Sequence, residues 1–265
     1  MVILVTGAQG QVGQALQTVA TLYPDFEFVF CNSRELNITD FKSCSEKIRA
    51  IKPAVIFNLA AYTAVDLAED EADKAFEVNS KGVEHLAKLC RDLNITLVHL
   101  STDFIFDGLK TNPYLETDLP NPINVYGASK WAGEQHIEQL LENYYIVRTS
   151  WVYSDFGSNF KNTMLRLAKE RDTISVVNDQ IGCPTNAVDL ANALLKLIAK
   201  RAPYGVYNYC GKTSGSWYDF AMRIFKDAGI SITVLPIPTS AYPTKAKRPV
   251  YSVLDTKKWD AILGT

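Results

Sequence analysis

Tyr126 and Lys130, in the stretch Tyr126-Gly127-Ala128-Ser129-Lys130, are the residues whose types and spacing most directly suggest chemistry. Four apart at a helix start, they lie on one face and can touch the same bound molecule. A phenol ordinarily keeps its proton to a pH of about 10, and a neighbouring ammonium stabilises the phenolate, so the pair is a candidate proton donor near neutrality. Such pairs also occur on solvated helix faces, so its meaning depends on what converges with it. Ser101-Thr102-Asp103 stands at the carboxyl end of an expected strand. The Thr102 hydroxyl there can hydrogen-bond the oxygen that Tyr126 protonates, which brings three groups from two elements to one carbonyl. A strand-end Ser-Thr is otherwise a common cap.

The elements that would position these groups alternate regularly. Residues 2–5 read as a buried strand, 6–13 as a glycine turn and 12–22 as a helix with apolar residues at helical spacing. Gly7, Gly10 and Gly13 follow the spacing G-x-x-G-x-x-G; they allow a tight turn, close backbone approach to a pyrophosphate and tight packing of helix on strand. The phosphates would sit at the helix start, where free N–H groups and the helix dipole favour anions. A plain glycine turn has the same composition.

Residues 26–30 form the second expected strand, followed by Cys31-Asn32-Ser33-Arg34-Glu35. An acid at this place bonds a ribose 2′-hydroxyl, whereas an arginine accommodates a 2′-phosphate. The positions nearest the strand carry no acid and Arg34 follows, which favours NADPH, with Glu35 keeping NADH open. A crossover helix is expected over 40–51 with Asp40 near its cap, and a third strand over 54–57. Asn58-Leu59-Ala60-Ala61-Tyr62-Thr63 then offers small residues able to floor a cofactor. One helix is expected over 66–91, with Asn79 as a buried or capping polar residue. A fourth strand follows over 96–100, a surface loop with three prolines over 109–124 and a fifth strand over 145–149.

This alternation predicts an α/β fold with a doubly wound parallel sheet and right-handed crossovers. From Trp151 the pattern loosens, with helices expected near 160–169 and 217–228 and short strands near 174–177 and 232–235. The helix over 188–200 and the strand over 205–209 are expected to return to the sheet. The predicted division is 1–150 with 186–212 as an NAD(P)-binding domain, and 151–185 with 213–265 as a smaller α/β substrate-binding lobe closing over the cofactor.

Composition narrows the partners. A chain of 265 residues, 47% hydrophobic and 21% charged, can bury a large core. Lys and Arg number 27 against 29 acids without any basic run, which argues against nucleic acid or an anionic membrane as partner and for a small molecule. Cys31, Cys44, Cys90, Cys183 and Cys210 are odd in number and scattered, which disfavours a disulfide framework or thiolate metal site and fits a reducing cytoplasm. No signal peptide or membrane-spanning run can be drawn, and His85, His99 and His136 lie too far apart in sequence to suggest a metal centre.

Gly7/Gly10/Gly13, Ser101-Thr102-Asp103 and Tyr126-x-x-x-Lys130 together resemble an extended short-chain dehydrogenase/reductase, a family with a Rossmann-type sheet. Arg148-Thr149-Ser150-Trp151-Val152-Tyr153, Asn178-Asp179-Gln180-Ile181-Gly182-Cys183-Pro184-Thr185 and Arg248-Pro249 are similar to its dTDP-4-dehydrorhamnose reductase branch. The resemblance implies hydride delivery from NAD(P)H to C4 of a 4-keto nucleotide sugar. Tyr126 would protonate the oxygen, Lys130 would orient the nicotinamide ribose and lower the tyrosine pKa, and Thr102 would bind the oxygen. By the same carry-over Asp103, Trp151 and Arg248 contact the sugar nucleotide, and Gln11, Val12, Asn37, Ile38, Ala61 and Thr63 line the cofactor.

Three features depart from the branch. Asn37 stands where many relatives have Asp, which would loosen adenine recognition. Ala15 and Val188 replace acids that join subunits through a metal in some relatives, so no metal is expected, and monomer and homodimer both stay open. The chain stops at Gly264-Thr265, where the family usually continues into another helix, which puts the stability of the lobe in question. Two alternatives remain. A sugar-nucleotide epimerase or dehydratase would need extra acid–base residues that nothing after Asp103 clearly supplies. The sequence also resembles the non-catalytic, NADP-binding regulatory β subunit of methionine adenosyltransferase, a reading that intact Thr102, Tyr126 and Lys130 disfavour.

Overall fold

The computed structural model describes residues 1–264. Val2–Thr6 (β1), Glu27–Cys31 (β2), Val55–Asn58 (β3), Thr96–Thr102 (β4), Tyr144–Thr149 (β5) and Gly205–Asn208 (β6) pair in parallel in one six-stranded sheet, in the order β6-β5-β4-β3-β1-β2. Its central strands read as unbroken apolar runs because helices cover both faces: Ile3, Leu4, Val5, Ile56 and Phe57 have no exposure at all. Gln11–Val19 (α1) and Ala187–Ala199 (α5) pack on one face with Leu16, Leu190 and Leu194. Phe41–Ile51 (α2), Gly82–Leu93 (α3) and Val125–Leu140 (α4) pack on the other with Ile48, Leu86 and Ile137. The expected doubly wound Rossmann-type sheet is therefore present. Successive strands run to opposite sides of β1, and a ligand crevice opens where the order reverses, beyond the carboxyl ends of β1 and β3.

Asp40 caps α2 as expected, accepting the Ser43 N–H at 3.0 Å. The single helix expected over 66–91 is instead broken into Val65–Ala68, Ala72–Phe76 and a π-helical turn, Glu77–Lys81, that leads into α3. The π-helical turn carries Asn79, fully buried, whose side chain bonds the Tyr62 N–H and C=O at 2.9 Å each and the Ser129 hydroxyl at 3.0 Å. The widened turn carries the amide inward to partners that a regular helix would not reach. Strand β4 also runs two residues beyond its expected end, so Ser101 and Thr102 belong to the strand itself.

Helix α4 is tied to β5 by a buried ion pair, Arg148 Nη2 to Glu134 Oε2 at 2.7 Å, with Arg148 Nη1 donating to the Glu116 carbonyl at 3.0 Å. Beyond β5 the described residues form three two-stranded ladders, the longest pairing Thr173–Val177 with Thr233–Ile237. Phe160–Leu167 and Trp217–Asp227 pack over that ladder through Met164, Phe220 and Ile224 in a separate apolar cluster. The last described helix, Lys257–Leu263, departs from the sequence division, because Trp259 and Leu263 join Tyr207 in the core beneath the main sheet. Among the described residues no helix is long and apolar enough to cross a membrane.

A Cβ on Gly133 would overlap the Asn79 carbonyl oxygen, so this glycine is what lets α4 lie against the π-helical turn. Gly133→Ala is expected to cost about 1–3 kcal/mol, the usual range for forced overpacking. Urea denaturation of both proteins measures it, and an unchanged midpoint would mean that the contact yields freely.

Candidate active site

The glycine turn forms because nothing larger fits. Gly7 has φ +66°, and a Cβ there would lie 2.6 Å from the Leu59 carbonyl oxygen; a Cβ on Gly13 would lie 2.5 Å from the Gly7 oxygen. Gly10 caps α1 without any side-chain hydrogen bond, so the first N–H groups of that helix face outward unspent, as an anion site requires. These groups open onto a cavity of about 750 Å³ along the carboxyl edge of the sheet. A pyrophosphate-bearing dinucleotide fits this chemistry.

The same cavity takes in Gly7, Gly10, Gln11, Val12, Gly13, Asn37, Ile38, Ala61 and Thr63 at one part of its lining, and Thr102, Asp103, Tyr126, Lys130 and Trp151 at another. Thus fourteen of the sixteen residues singled out from the sequence share one cleft. Arg34 and Arg248 are not in its lining. Arg34 is exposed beside Asn32 and Ser33, which do line it. The Glu35 carboxylate accepts the Asn32 N–H at 2.8 Å, which engages that acid within its own turn. Arg248 makes two bonds to Asp66, at 3.0 and 2.6 Å, and its guanidinium holds the Asp66 carboxyl below its ordinary pKa. Gln11 Oε1 accepts from the Ser154 hydroxyl and the Asn159 amide, beyond β5, at 2.9 Å each.

Tyr126 stands in the first turn of α4, whose cap Asn124 accepts the Gly127 N–H at 2.7 Å. A Cβ on Gly127 would overlap the Phe104 carbonyl oxygen, so the helix start presses against the segment that follows β4. Phe104 in turn packs its ring edge-to-face on Tyr126, with centroids 5.9 Å apart. Burial pushes the Tyr126 phenol up to about 12, with the Thr102 hydroxyl opposing and the Asp103 carboxylate adding to the rise. Lys130 is 2% exposed; its Nζ donates to the Leu100 carbonyl at 2.7 Å and lies 3.2 Å from His99 Nε2. Burial lowers its pKa to about 8, against the attraction of Glu134. The Lys130 amine is engaged by β4, and desolvation of the phenolate is the leading influence on Tyr126.

At the end of β4, the Thr102 hydroxyl donates to Asp103 Oδ1 at 3.2 Å and accepts the Phe104 N–H at 3.2 Å. Ser101 Oγ, Asp103 Oδ2 and Thr149 Oγ1 are buried without a hydrogen-bond partner, and all three residues line the cavity. Orphaned polar atoms converging on a cleft are suited to the hydroxyls of a sugar. Thr149, absent from the candidates drawn from sequence, was signalled by its place at the end of the fifth strand. Trp151 adopts φ +46°, stacks on Trp217 with ring centroids 3.5 Å apart, lies close against Gly182 and is among the residues lining the cleft.

Residues 1–265 match the family model described as RmlD substrate binding domain. The chain belongs to that family. A dTDP-4-dehydrorhamnose reductase of Aggregatibacter actinomycetemcomitans is 41% identical over 273 residues, covering 99% of this chain and 93% of the relative. A dTDP-4-keto-6-deoxy-D-glucose reductase of Streptomyces niveus is 41% identical over 259 residues, 97% and 89% of the two chains. Among solved structures, a dTDP-4-dehydrorhamnose reductase from Bacillus anthracis in complex with NADP superposes with a TM-score of 0.94 at 41% identity, covering 98% of this chain and 92% of that one. This member of the RmlD family is accordingly an NADP-linked oxidoreductase, and its open helix start and glycine cradle suit that cofactor.

Burial raises the Asp103 carboxyl to about 7. An acid whose folded pKa exceeds its unfolded value, near 4, stays protonated longer in the native state, so folding stability falls as pH rises from about 4 to 7. Asp103→Asn removes this titration. The variant is expected to flatten stability across that window and to exceed the wild type at pH 8, by up to about 4 kcal/mol. Urea unfolding at several pH values checks it, and parallel profiles for the two proteins would assign the carboxyl an ordinary pKa.

Proposed function

We propose that this chain reduces the C4 carbonyl of dTDP-4-dehydro-L-rhamnose with NADPH to give dTDP-L-rhamnose. The observation that carries this reading is the convergence of Thr102, Tyr126 and Lys130 on the cleft that also holds the glycine cradle. NADPH, when bound, supplies the hydride. Negative charge then develops on the sugar oxygen, and the residues must neutralise it. Tyr126, fully protonated at neutral pH by its raised pKa, gives its phenolic proton to that oxygen. The Thr102 hydroxyl turns from Asp103 to donate to the same oxygen, and the Lys130 charge offsets the phenolate left behind.

The smaller lobe, built on residues 151–185 and 213–256, would close over the sugar nucleotide, with Trp151 and Asp103 against the sugar. Arg248, whose side chain keeps part of its surface exposed, would exchange Asp66 for the substrate diphosphate, and the exposed Arg34, next to Asn32 and Ser33 of the lining, would reach a 2′-phosphate. Arg34→Ala is expected to weaken NADPH while sparing NADH, and Arg248→Ala to raise KM for the nucleotide sugar while sparing both cofactors. Fluorescence titration and initial-rate kinetics separate the two; equal cofactor affinities or an unmoved KM would return the corresponding arginine to a surface role.

Tyr126→Phe removes the phenolic oxygen alone. It is expected to keep the NADPH affinity and to lower kcat by about 10²–10⁴-fold. Turnover should be measured with dTDP-4-dehydro-L-rhamnose beside dTDP-4-keto-6-deoxy-D-glucose, the sugar named for the Streptomyces niveus relative. A wild-type protein that binds NADPH and oxidises it with neither sugar would favour a binding subunit, and an active Tyr126→Phe would displace the phenol from its role.

A further inference from the structure

Behind Lys130, four side chains form an unbroken polar line through the apolar sheet. Thr6 on β1 donates to Asn58 Oδ1 at 2.8 Å, Asn58 Nδ2 lies 3.0 Å from His99 Nδ1, and His99 Nε2 lies 3.2 Å from Lys130 Nζ. Thr6, Asn58 and His99 have no exposure. None of the three enters the reduction as derived above, and polar groups placed this deep are costly unless each is paired.

The donors along this line must agree with one another. An ammonium carries three donors and no acceptor, so while Lys130 is charged His99 Nε2 has to be bare and the ring proton has to sit on Nδ1. Asn58 must then turn its Oδ1 towards His99 to accept that proton, and its Nδ2 towards Thr6, whose hydroxyl oxygen changes from donor to acceptor in that contact. The opposite orientation, with Asn58 Nδ2 donating to Nδ1, puts the ring proton on Nε2, where a neutral Lys130 amine alone can accept it. The amide orientation follows from the network, not from the positions of the heavy atoms. A doubly protonated imidazole is ruled out, because burial and the Lys130 charge together hold the His99 pKa well below its ordinary value.

We propose that neutral His99, oriented by Asn58, is a positioning residue that accepts a hydrogen bond from the Lys130 ammonium and so keeps it charged and fixed beside Tyr126, with the Asn58 amide turning over when Lys130 loses its proton. The inference rests on the role given to Lys130 above. Other groups act on the same amine. The Leu100 carbonyl accepts from it, and Glu134, one turn further along α4 and paired with Arg148 of β5, favours its charge. Tyr126 lies one turn before it, and Asp103 stands on the segment after β4. His99 is the group among these that can change from acceptor to donor without change of charge, by moving a proton between its own two ring nitrogens.

Long-range ¹⁵N–¹H spectra of the wild-type imidazoles, recorded with and without NADPH from pH 6 to 10, read the tautomer directly. The chain has three histidines, and His99→Gln identifies the signals of His99. The expected result is a neutral ring with its proton on Nδ1 at pH 6–7, passing to Nε2 as Lys130 titrates. In kinetics, His99→Leu removes a hydrogen bond to a charged group and should move the alkaline limb of kcat/KM down by about one pH unit or more. His99→Gln, which can place an amide oxygen near the position of Nε2, should leave that limb close to its wild-type position. A proton on Nε2 at pH 6–7, or a folded His99→Leu with an unmoved limb, overturns the proposal. If His99→Leu fails to fold, the wild-type spectra still decide. Because the tautomer is read without turnover, failure of the reductase reading, registered by an active Tyr126→Phe, remains distinguishable from failure of the histidine's role.

Discussion

A lysine almost without exposure at the carboxyl edge of a parallel sheet is the constraint on which much of this structure depends. Its charge is costly in an apolar surrounding, and it persists only if the chain supplies partners within hydrogen-bond reach. Strand β4 supplies two, the Leu100 carbonyl and His99, and both require α4 to lie close to the sheet. Glycines at 127 and 133 make that approach possible, because side chains there would overlap the Phe104 and Asn79 carbonyls. The π-helical turn at Glu77–Lys81 and the inward amide of Asn79 complete the fit by holding Ser129 on the same helix. Burial of one amine thus sets the distance between two layers.

The other side of the cleft follows a backbone constraint. Gly7 stands so close to Leu59, and Gly13 to Gly7, that the turn between β1 and α1 has room for no side chain at either position. The helix starts without a side-chain cap, which leaves its first N–H groups for an anion. Gln11 binds the same turn to Ser154 and Asn159, so the segment that follows β5 is tied to the glycine turn.

Between the two sides, Ser101, Asp103 and Thr149 keep buried oxygens that the protein itself does not satisfy. A core would not tolerate this without loss of stability, whereas a site that awaits a polyhydroxylated ligand gains hydrogen bonds when the ligand enters. The phenol of Tyr126 is raised and the amine of Lys130 lowered by the same desolvation. Both shifts favour the neutral forms, so the state of this acid–base pair depends on the polar groups that surround it.

Local rules determined a good part of this protein. The strand–turn–helix order, the glycine spacing, the Asp40 cap and the pairing of Tyr126 with Lys130 on one helical face all follow from period, capping and steric allowance, which neighbouring residues fix among themselves. The sequence could not disclose contacts between residues distant in the chain. Arg248 meets Asp66, so the partner that this guanidinium chooses depended on which loops came together. The expected long helix is interrupted after Ala68 and widens into a π turn at the buried amide of Asn79, whose partners lie far off in the chain. Trp259 returned to the main core because Tyr207 lay within its reach. Likewise His99, one of three scattered histidines by sequence, acquired its place only when β1, β3, β4 and α4 aligned Thr6, Asn58 and Lys130 behind it. Burial and electrostatics are properties of the assembled core, and no spacing along the chain encodes them.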